Sequence, residues 1–236
     1  MGKNHLSTLA VPKTWPVDRK AYGRWIVKPS SGAHAIENCL PIHLVLKNIL
    51  KYAKTAKEVK KILNDGNVLI DKVTRKKYDY PVGLMDLFEI KQSRECYRVA
   101  LDEKGKLNLI PAMEKSLKLL KVLGKKMLKK RKMQINFHDG RNMIVDKFEG
   151  NIGDSVVYDL EKKKIVKVVK LEKGNLILMH GGKHIGVLGK LKEVIAGDAL
   201  RKPLVVFELD GKEYKTLKSY AFAVGEKTPE IEVRKK

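Results

Sequence analysis

Lysine side chains recur at helical spacing on two consecutive segments of this 236-residue chain. Each segment also carries an apolar stripe, formed by Val45, Ile49 and Ala53 in the first and by Val59, Ile62 and Leu63 in the second. The lysines opposite these stripes are Lys47, Lys51, Lys54, Lys57, Lys60 and Lys61. Because an ammonium group binds phosphate oxygens by charge and by hydrogen bonds, the pattern predicts two amphipathic helices whose outer face lies on a phosphate backbone.

Signals next to these stripes define where the second helix begins and ends. Thr55-Ala56-Lys57-Glu58 is a capping-box pattern, and Gly66 stands where a helix C-cap is expected. Residues 67–71 then predict a strand, which the basic run 75–77 follows. Lysines on one amphipathic helix usually form a solvated face, but two adjacent helices of one sign, with few acidic i,i+4 neighbours, favour binding to a polyanion.

The overall charge agrees with a polyanionic partner. Lys and Arg number 50 against 27 Asp and Glu, which gives a net charge of +23 and a pI near 9.8. This imbalance favours nucleic acid through counterion release. The sequence has no apolar run of about 18 residues and no secretory signal, so we expect a cytoplasmic protein and no membrane partner. Cys39 and Cys96 lack metal-ligand spacing and are predicted to be reduced and buried.

Residues 1–41 are predicted to be a basic N-terminal arm, because they hold four prolines and no convincing periodicity. Two interpretations of its tryptophans stay open: stacking and cation–π contacts with RNA, or anchoring of the arm to the next domain. The candidate RNA-binding residues of the arm are Trp15, Arg19, Lys20, Arg24 and Trp25.

Strands are predicted for most of the chain beyond the helices. Residues 42–106 form the first domain, with a turn at 80–83 and a hairpin loop centred on Gly105. Residues 107–171 form a central β domain. Its segment 115–132 holds nine basic residues and no acidic one; a basic helix is possible, but strands flanking a lysine-rich loop are favoured. Further candidate RNA-binding residues in these two domains are Arg75, Lys76, Lys129, Lys130, Arg131 and Arg141.

Short strands separated by glycines fill residues 172–225 and predict a small antiparallel barrel or sandwich, followed by a solvated tail at 226–236. Within it, the loop beginning at Gly181 has glycines that permit positive φ and bring backbone N–H groups close to an anion. Its candidate RNA-binding residues are Gly182, Lys183, His184 and Gly186.

Several motifs, in one order along essentially the whole chain, resemble the S4e family of small-subunit ribosomal proteins of archaea and eukaryotes. These motifs are Pro12-Lys13-Thr14-Trp15-Pro16, Trp25-Ile26-Val27-Lys28-Pro29-Ser30, Asn67-Val68-Leu69-Ile70-Asp71, Tyr80-Pro81-Val82-Gly83-Leu84-Met85-Asp86, the run from Gln134 to Asn142, and the run from Gly181 to Leu191. The resemblance implies an α+β, multi-domain fold. Its parts are an S4-type RNA-binding helix pair with a small sheet, a central antiparallel β domain, and a C-terminal SH3-like barrel with a KOW motif.

The resemblance also implies a structural role in the small ribosomal subunit, with small-subunit rRNA and neighbouring ribosomal proteins as partners. Two alternatives remain: a free RNA-binding or elongation-type factor, and an RNA-modifying enzyme, since S4-type domains occur in such enzymes. We predict no catalytic residue, metal, cofactor or small-molecule substrate, because no Ser, Cys or His lies in a catalytic motif. His180 and His184 are four apart, but the glycines between them favour a loop over a helical metal site.

Overall fold

The computed structural model describes residues 5–20, 22–198, 200–209 and 211–233. These residues form two compact units. One comprises 5–102 with Lys106–Lys115, and the other comprises Glu103–Gly105 with Ser116–Val233. Within the described ranges, no helix is both long enough and apolar enough to cross a membrane.

The first unit packs two short helical segments against small antiparallel sheets. Its strands are β1 (His5–Ser7), β2 (Trp25–Val27), β3 (Cys39–Pro41), β4 (Val68–Ile70), β5 (Val73–Thr74), β6 (Pro81–Gly83), β7 (Leu87–Ile90), β8 (Glu95–Leu101) and β9 (Leu107–Pro111). Strands β1 and β2 pair, as do β3 and β6, and the other five form a sheet in the order β5-β4-β7-β8-β9. Helix α1 (Ile42–Leu44) continues into a π-helical turn, Val45–Ile49, and helix α2 spans Ala56–Asn64.

Two details of this unit differ from the sequence prediction. The predicted turn at 80–83 is wrong, because Pro81–Gly83 is a strand that pairs with Cys39–Pro41. The turn lies earlier, where the Tyr80 N–H meets the Lys77 carbonyl at 3.4 Å. Strand β9 pairs with β8, so this sheet continues past the predicted boundary between residues 106 and 107. The hairpin loop centred on Gly105 is confirmed, since the Asp102 N–H donates to the Lys106 carbonyl.

The second unit consists of two five-stranded antiparallel sheets. Its strands are β10 (Leu117–Met127), β11 (Met133–Phe137), β12 (Asn142–Val145), β13 (Ser155–Asp159), β14 (Lys164–Val169), β15 (Leu176–Met179), β16 (Leu188–Ile195), β17 (Leu204–Leu209), β18 (Lys212–Leu217) and β19 (Ala221–Gly225). The sheet orders are β12-β11-β10-β13-β14 and β18-β17-β16-β15-β19. Leu120, Val122, Ile135, Phe137 and Val156 form the core of the first of these sheets.

Most strands of this unit agree with the glycine-punctuated pattern. Strand β10 settles the alternative at 115–132 in favour of strands, although the loop is shorter than expected because Lys125 and Lys126 belong to the strand. Three strands, β12, β16 and β19, were not predicted. Strand β16 begins inside the segment interpreted as a loop from Gly181 to Leu191, and β19 closes the sheet beside β15. The structure is thus mostly β with few helices.

Both cysteines are buried free thiols, as predicted. Burial, followed by the nearby Asp86 charge, raises the pKa of Cys39 to about 12. Burial is also the main cause that raises the pKa of Cys96 to about 11. Both side chains therefore stay protonated at neutral pH and act as small apolar groups in the core.

Candidate nucleic-acid interface

The first helical segment is shorter than its sequence pattern indicates. Ile42, Leu44 and Val45 are buried, but the helix ends where the Leu50 N–H donates to the Val45 carbonyl in a π-helical bond. Lys51 has a φ of +58°, which stops helical continuation. The prediction of one helix from Val45 through Ala53 is therefore wrong. Lys47 lies on the helical segment, whereas Lys51 and Lys54 are exposed residues of the connection to α2; Ala53 still points into the core.

Helix α2 follows its sequence signals closely. The Thr55 Oγ1 accepts a hydrogen bond from the Glu58 N–H at 3.3 Å, and the Glu58 carboxylate accepts one from the Lys54 N–H at 2.8 Å. The bond from Lys54, followed by one that the Thr55 hydroxyl donates to the Glu58 carboxylate at 2.9 Å, lowers the pKa of Glu58 and keeps it ionised at the helix N-terminus. Val59 and Leu63 are fully buried, and Gly66 ends the helix with a φ of +71°.

The exposed lysines of α2 keep their charge available. Lys57, Lys60 and Lys61 are exposed, and none of them forms an ion pair with any side chain in the ranges that the structure describes. Over those ranges the half-buried Lys47 and the exposed Lys51 and Lys54 form no ion pair either, although the Lys54 charge contributes to the lowered pKa of Glu58. Burial first, and then the positive charges of Lys47 and Lys60, lower the pKa of the buried His43. Lysines of both helical segments therefore raise the potential around one residue, His43, and we call the six lysines the cationic face.

Two tyrosines extend this face beyond the helices. The Lys60 ammonium lies 5.0 Å from the centre of the Tyr78 ring, and the Arg75 guanidinium lies 4.4 Å from the centre of the Tyr80 ring. Such cation–π contacts fix the position of a cation without neutralising it. Lys76, next in sequence, is exposed. Each tyrosine thus holds one cation, Tyr78 a lysine of α2 and Tyr80 an arginine of the basic run after β5.

The two tryptophans of the N-terminal segment differ in their exposure. Trp15 is only 2% exposed, and its indole N–H donates to the Ile36 carbonyl at 3.2 Å. Its ring therefore anchors the segment, and the prediction that it stacks on RNA is wrong because the ring is enclosed by protein. Trp25 is 55% exposed, with the Arg24 guanidinium 5.3 Å from the ring centre. Lys20 and Arg19 are exposed, although Arg19 donates to the Val11 carbonyl.

The turn between β10 and β11 presents a dense group of cations. The Leu128 N–H donates to the Lys132 carbonyl at 2.7 Å and closes the turn, and Lys129, Lys130 and Arg131 between them are exposed. Lys130 and Arg131 have φ angles of +62° and +57°. Two successive non-glycine residues in the left-handed region are unusual, and they direct the turn's three side chains into solvent.

Arg141 differs from the other candidates because its charge is already paired. Its Nε lies 3.1 Å from the Asp139 carboxylate, and the buried Lys118 ammonium lies 3.0 Å from the same oxygen. Burial opposes ionisation of Asp139, but the Lys118 charge, followed by the hydrogen bond from the Arg141 backbone N–H, outweighs it and holds the pKa of that carboxyl below its usual range. The side chain thus helps to hold the Asp139-Gly140 turn, and RNA binding by Arg141 stays a prediction.

In the loop that begins at Gly181, the glycines have the predicted positive φ angles, but a backbone N–H group that was expected to bind an anion binds protein instead. Gly182 and Gly186 have φ angles of +83° and +84°. The Gly186 N–H donates to the Met179 carbonyl at 2.7 Å, so it is not available to an anion. The His184 ring packs 4.6 Å from the Tyr214 ring, centre to centre, which makes it part of the sheet's packing. Lys183 is exposed at the tip.

Comparisons with known proteins identify the family. Family models match as Ribosomal family S4e over residues 93–165, as the RS4NT (NUC023) domain over 1–37, and as the S4 domain over 41–88. The chain is 40% identical to small ribosomal subunit protein eS4 of Methanothermobacter thermautotrophicus, over 94% of this chain and 93% of the relative. It is 39% identical to the protein of the same name from Pyrobaculum arsenaticum, over 97% and 98%.

The chain belongs to ribosomal protein family S4e. The crystal structure of the 30S ribosomal protein S4e from Thermoplasma acidophilum agrees, with a TM-score of 0.69 and 28% identity over 80% of this chain and 96% of that one. The resemblance drawn from the sequence motifs is thereby confirmed. All six lysines of the cationic face lie within the range of the S4 domain match.

The S4e chain also has buried cations that the sequence did not single out. Lys118 and Lys121 lie in the basic run, but both are buried, and Lys121 donates to the backbone carbonyls of Ser219 and Ala221 at 2.7 and 2.6 Å. Burial, followed by the Lys218 charge, lowers the pKa of Lys121 to about 8. Residues 118–122 are all buried, so this part of β10 is covered on both sides, and alternation along the strand could not have distinguished the two lysines. No group of three or more potential ligand side chains could hold a metal ion within the described residues.

Proposed function

We propose that this S4e protein is a structural constituent of the small ribosomal subunit, in the cytoplasm, and that it binds small-subunit rRNA mainly by shape and charge. The observation that carries the proposal is the cationic face, six unpaired lysines within the described ranges on and around two helical segments of an S4 domain. The relatives aligned along nearly the whole chain are named as small ribosomal subunit proteins, which supports the same assembly here.

The residues to which we assign contacts with rRNA are exposed, apart from Lys47 and Arg75, which are half-buried. They comprise the cationic face with Arg75 and Lys76, the exposed arm residues Arg19, Lys20, Arg24 and Trp25, the turn residues Lys129, Lys130 and Arg131, and Lys183 at the tip of the glycine loop. Gly182, His184 and Gly186 shape that loop. Neighbouring ribosomal proteins are the further partners that the relatives' names support.

We further propose that the C-terminal sheet is an SH3-like barrel whose KOW motif is the loop from Gly181 to Leu191. The pairing of β19 with β15, which brings the last strand beside the first, supports this proposal. We also propose that the chain is organised in the segments predicted from the sequence, which are 1–41, 42–106, 107–171, 172–225 and 226–236. A catalytic function has no support, because the family consists of ribosomal proteins.

Sedimentation tests the proposed function directly. A tagged copy expressed in a host archaeon is followed across a sucrose gradient together with small-subunit rRNA. We expect the protein to sediment with particles that contain this rRNA and to remain there after a wash in moderate salt. Recovery of the protein at the top of the gradient, away from particles, would instead support the free RNA-binding factor.

A further inference from the structure

One side of the β10–β11–β12 sheet carries a small grid of polar side chains. Residues that pair directly across antiparallel strands point to the same side of the sheet. Two paired rows therefore lie on the side opposite the core; we call them the amide face. The rows are Lys126, Gln134 and Ile144, and Gly124, Asn136 and Asn142.

The amide face is open, although the same side of the sheet is covered further along β10. Lys121 lies on this side and donates to carbonyls of the segment that leads into β19, so the C-terminal sheet covers that end. Beyond the β-bulge at Leu123, the C-terminal sheet no longer covers this side of β10. Leu123 and Ile144 are 56% and 58% exposed, and Lys126 and Asn142 are exposed as well.

The amides on this face keep hydrogen-bonding capacity for a ligand. The Gln134 Nε2 donates to the Asn136 Oδ1 at 2.9 Å, which fixes both side chains in place. This bond leaves the Gln134 oxygen as an acceptor and the Asn136 nitrogen as a donor. In the part of the chain that the structure describes, the Asn142 side chain has no protein partner, so its amide is also available.

The charge around the amide face favours a polyanion as its partner. None of its six residues is acidic, Lys126 belongs to it, and the exposed cations of the 129–131 turn follow β10. Asp139, in the turn between β11 and β12, is buried and paired with Lys118 and Arg141, and the next acidic residue, Asp146, comes only after β12 ends. The face also has no aromatic ring, so it cannot stack on unpaired bases as aromatic sheet surfaces do.

A sheet surface of donors and acceptors with flanking cations matches one feature of RNA in particular. The minor groove of an A-form helix is wide and shallow, and it displays ribose 2′-hydroxyl groups that both donate and accept hydrogen bonds. We propose that the amide face binds the minor groove of a double-helical RNA segment and recognises its 2′-hydroxyl groups through Gln134, Asn136 and Asn142. This inference rests on the proposed function. It gives the outward half of the motif from Gln134 to Asn142 a role, while Ile135 and Phe137 serve the core.

Comparison of RNA with DNA tests the inference. The full-length protein and the variant Asn136→Ala/Asn142→Ala are titrated, at about 100 mM salt, with a labelled RNA duplex of about 16 base pairs and with the DNA duplex of the same sequence. We expect the wild type to prefer RNA. The variant should lose about tenfold in RNA affinity, the effect of two net hydrogen bonds, with little change for DNA. Gln92→Ala, an exposed amide in the other unit, is the matched control and should leave both affinities unchanged.

Each other outcome has a distinct meaning. If the double variant folds poorly, Asn142→Ala alone, at an exposed position, carries the test. A variant that binds rRNA but keeps the full RNA preference overturns this inference and leaves the proposed function standing, and equal losses for RNA and DNA overturn it too. A variant that binds both duplexes normally but no longer enters particles shows that the face meets a protein. If the wild type binds neither duplex nor rRNA, the proposed function itself fails.

Discussion

Removal of three charges from α2 should change the salt dependence of RNA binding more than it changes the fold. The perturbation is Lys57→Gln/Lys60→Gln/Lys61→Gln. All three side chains are exposed, and glutamine has nearly the helix propensity of lysine. The lost contact of Lys60 with the Tyr78 ring is worth about 0.5–1 kcal/mol at an exposed site. We therefore expect the free energy of unfolding to fall by no more than about 1 kcal/mol.

The magnitude of the binding effect follows from counterion release. Each phosphate that a lysine neutralises adds about 0.7–0.9 to the slope of log affinity against log salt concentration. Three lost contacts reduce the slope by about 2–3. Between about 50 and 200 mM salt, the advantage of the wild type over the variant should shrink by roughly 1.5 decades, because its stronger salt dependence erodes its affinity faster.

The assay is fluorescence anisotropy with a labelled small-subunit rRNA fragment, repeated at four or more salt concentrations. The matched control is Lys162→Gln/Lys163→Gln/Lys164→Gln, which removes the same charge from exposed lysines near the turn between β13 and β14. Its salt slope should stay close to that of the wild type, since net charge alone acts weakly at a distance in salt.

Two results would refute this reasoning. If both triple variants reduce the slope equally, binding depends on total charge and the cationic face has no special position. If the α2 variant loses several kcal/mol of stability, these lysines stabilise the fold, even though they are exposed and form no ion pairs within the described ranges.

Three further predictions concern other parts of the chain. Gly186→Val should lower the unfolding free energy by about 2 kcal/mol or more in thermal denaturation, because a φ of +84° disfavours any β-branched residue; an unchanged Tm contradicts this. Burial, followed by the Lys121 charge, lowers the pKa of His180 from 6.5 to about 4. Between these two pH values the imidazole is protonated in the unfolded chain but neutral in the folded protein, so stability is lost as the pH falls from about 6.5 to 4. Chemical denaturation across this pH range should show that the free energy of unfolding falls by about 3 kcal/mol in the wild type but not in His180→Gln. If the two proteins give parallel profiles of stability against pH, the prediction is refuted. Trp15→Ala should destabilise the protein by about 3–5 kcal/mol, and Trp25→Ala should spare stability and weaken rRNA binding about tenfold; equal behaviour of the two variants is the contrary result.

Features with a local cause could be predicted from the sequence. The Thr55 cap and the Gly66 stop act within one helical turn, so residues a few positions apart were enough to define α2. The alternation around Ile135 and the Asp139-Gly140 turn likewise gave β11 and its end. The unpaired lysines of α2 were visible because their acidic neighbours are few along the helix.

Features with a distant cause could not be predicted. Pro81–Gly83 reads as a turn by composition, and it becomes a strand only because β3, some forty residues earlier, pairs with it. Lys51 ends its helix in a left-handed conformation that no apolar periodicity reveals. The sequence pattern of the basic run does not distinguish one lysine from another. In the structure, however, Lys118 binds Asp139, which is 21 residues away. Long-range contacts thus decided which cations are available to RNA.

Protein–RNA crosslinking on purified small subunits tests the central claim most directly. Crosslinked lysine peptides are mapped by mass spectrometry after irradiation of intact particles. Contact through the cationic face predicts crosslinks between small-subunit rRNA and the exposed α2 residues Lys57, Lys60 and Lys61, with further sites in the 129–131 turn. Particles that contain the protein but give no crosslinks from α2, with rRNA attached instead to other surfaces, would contradict the account.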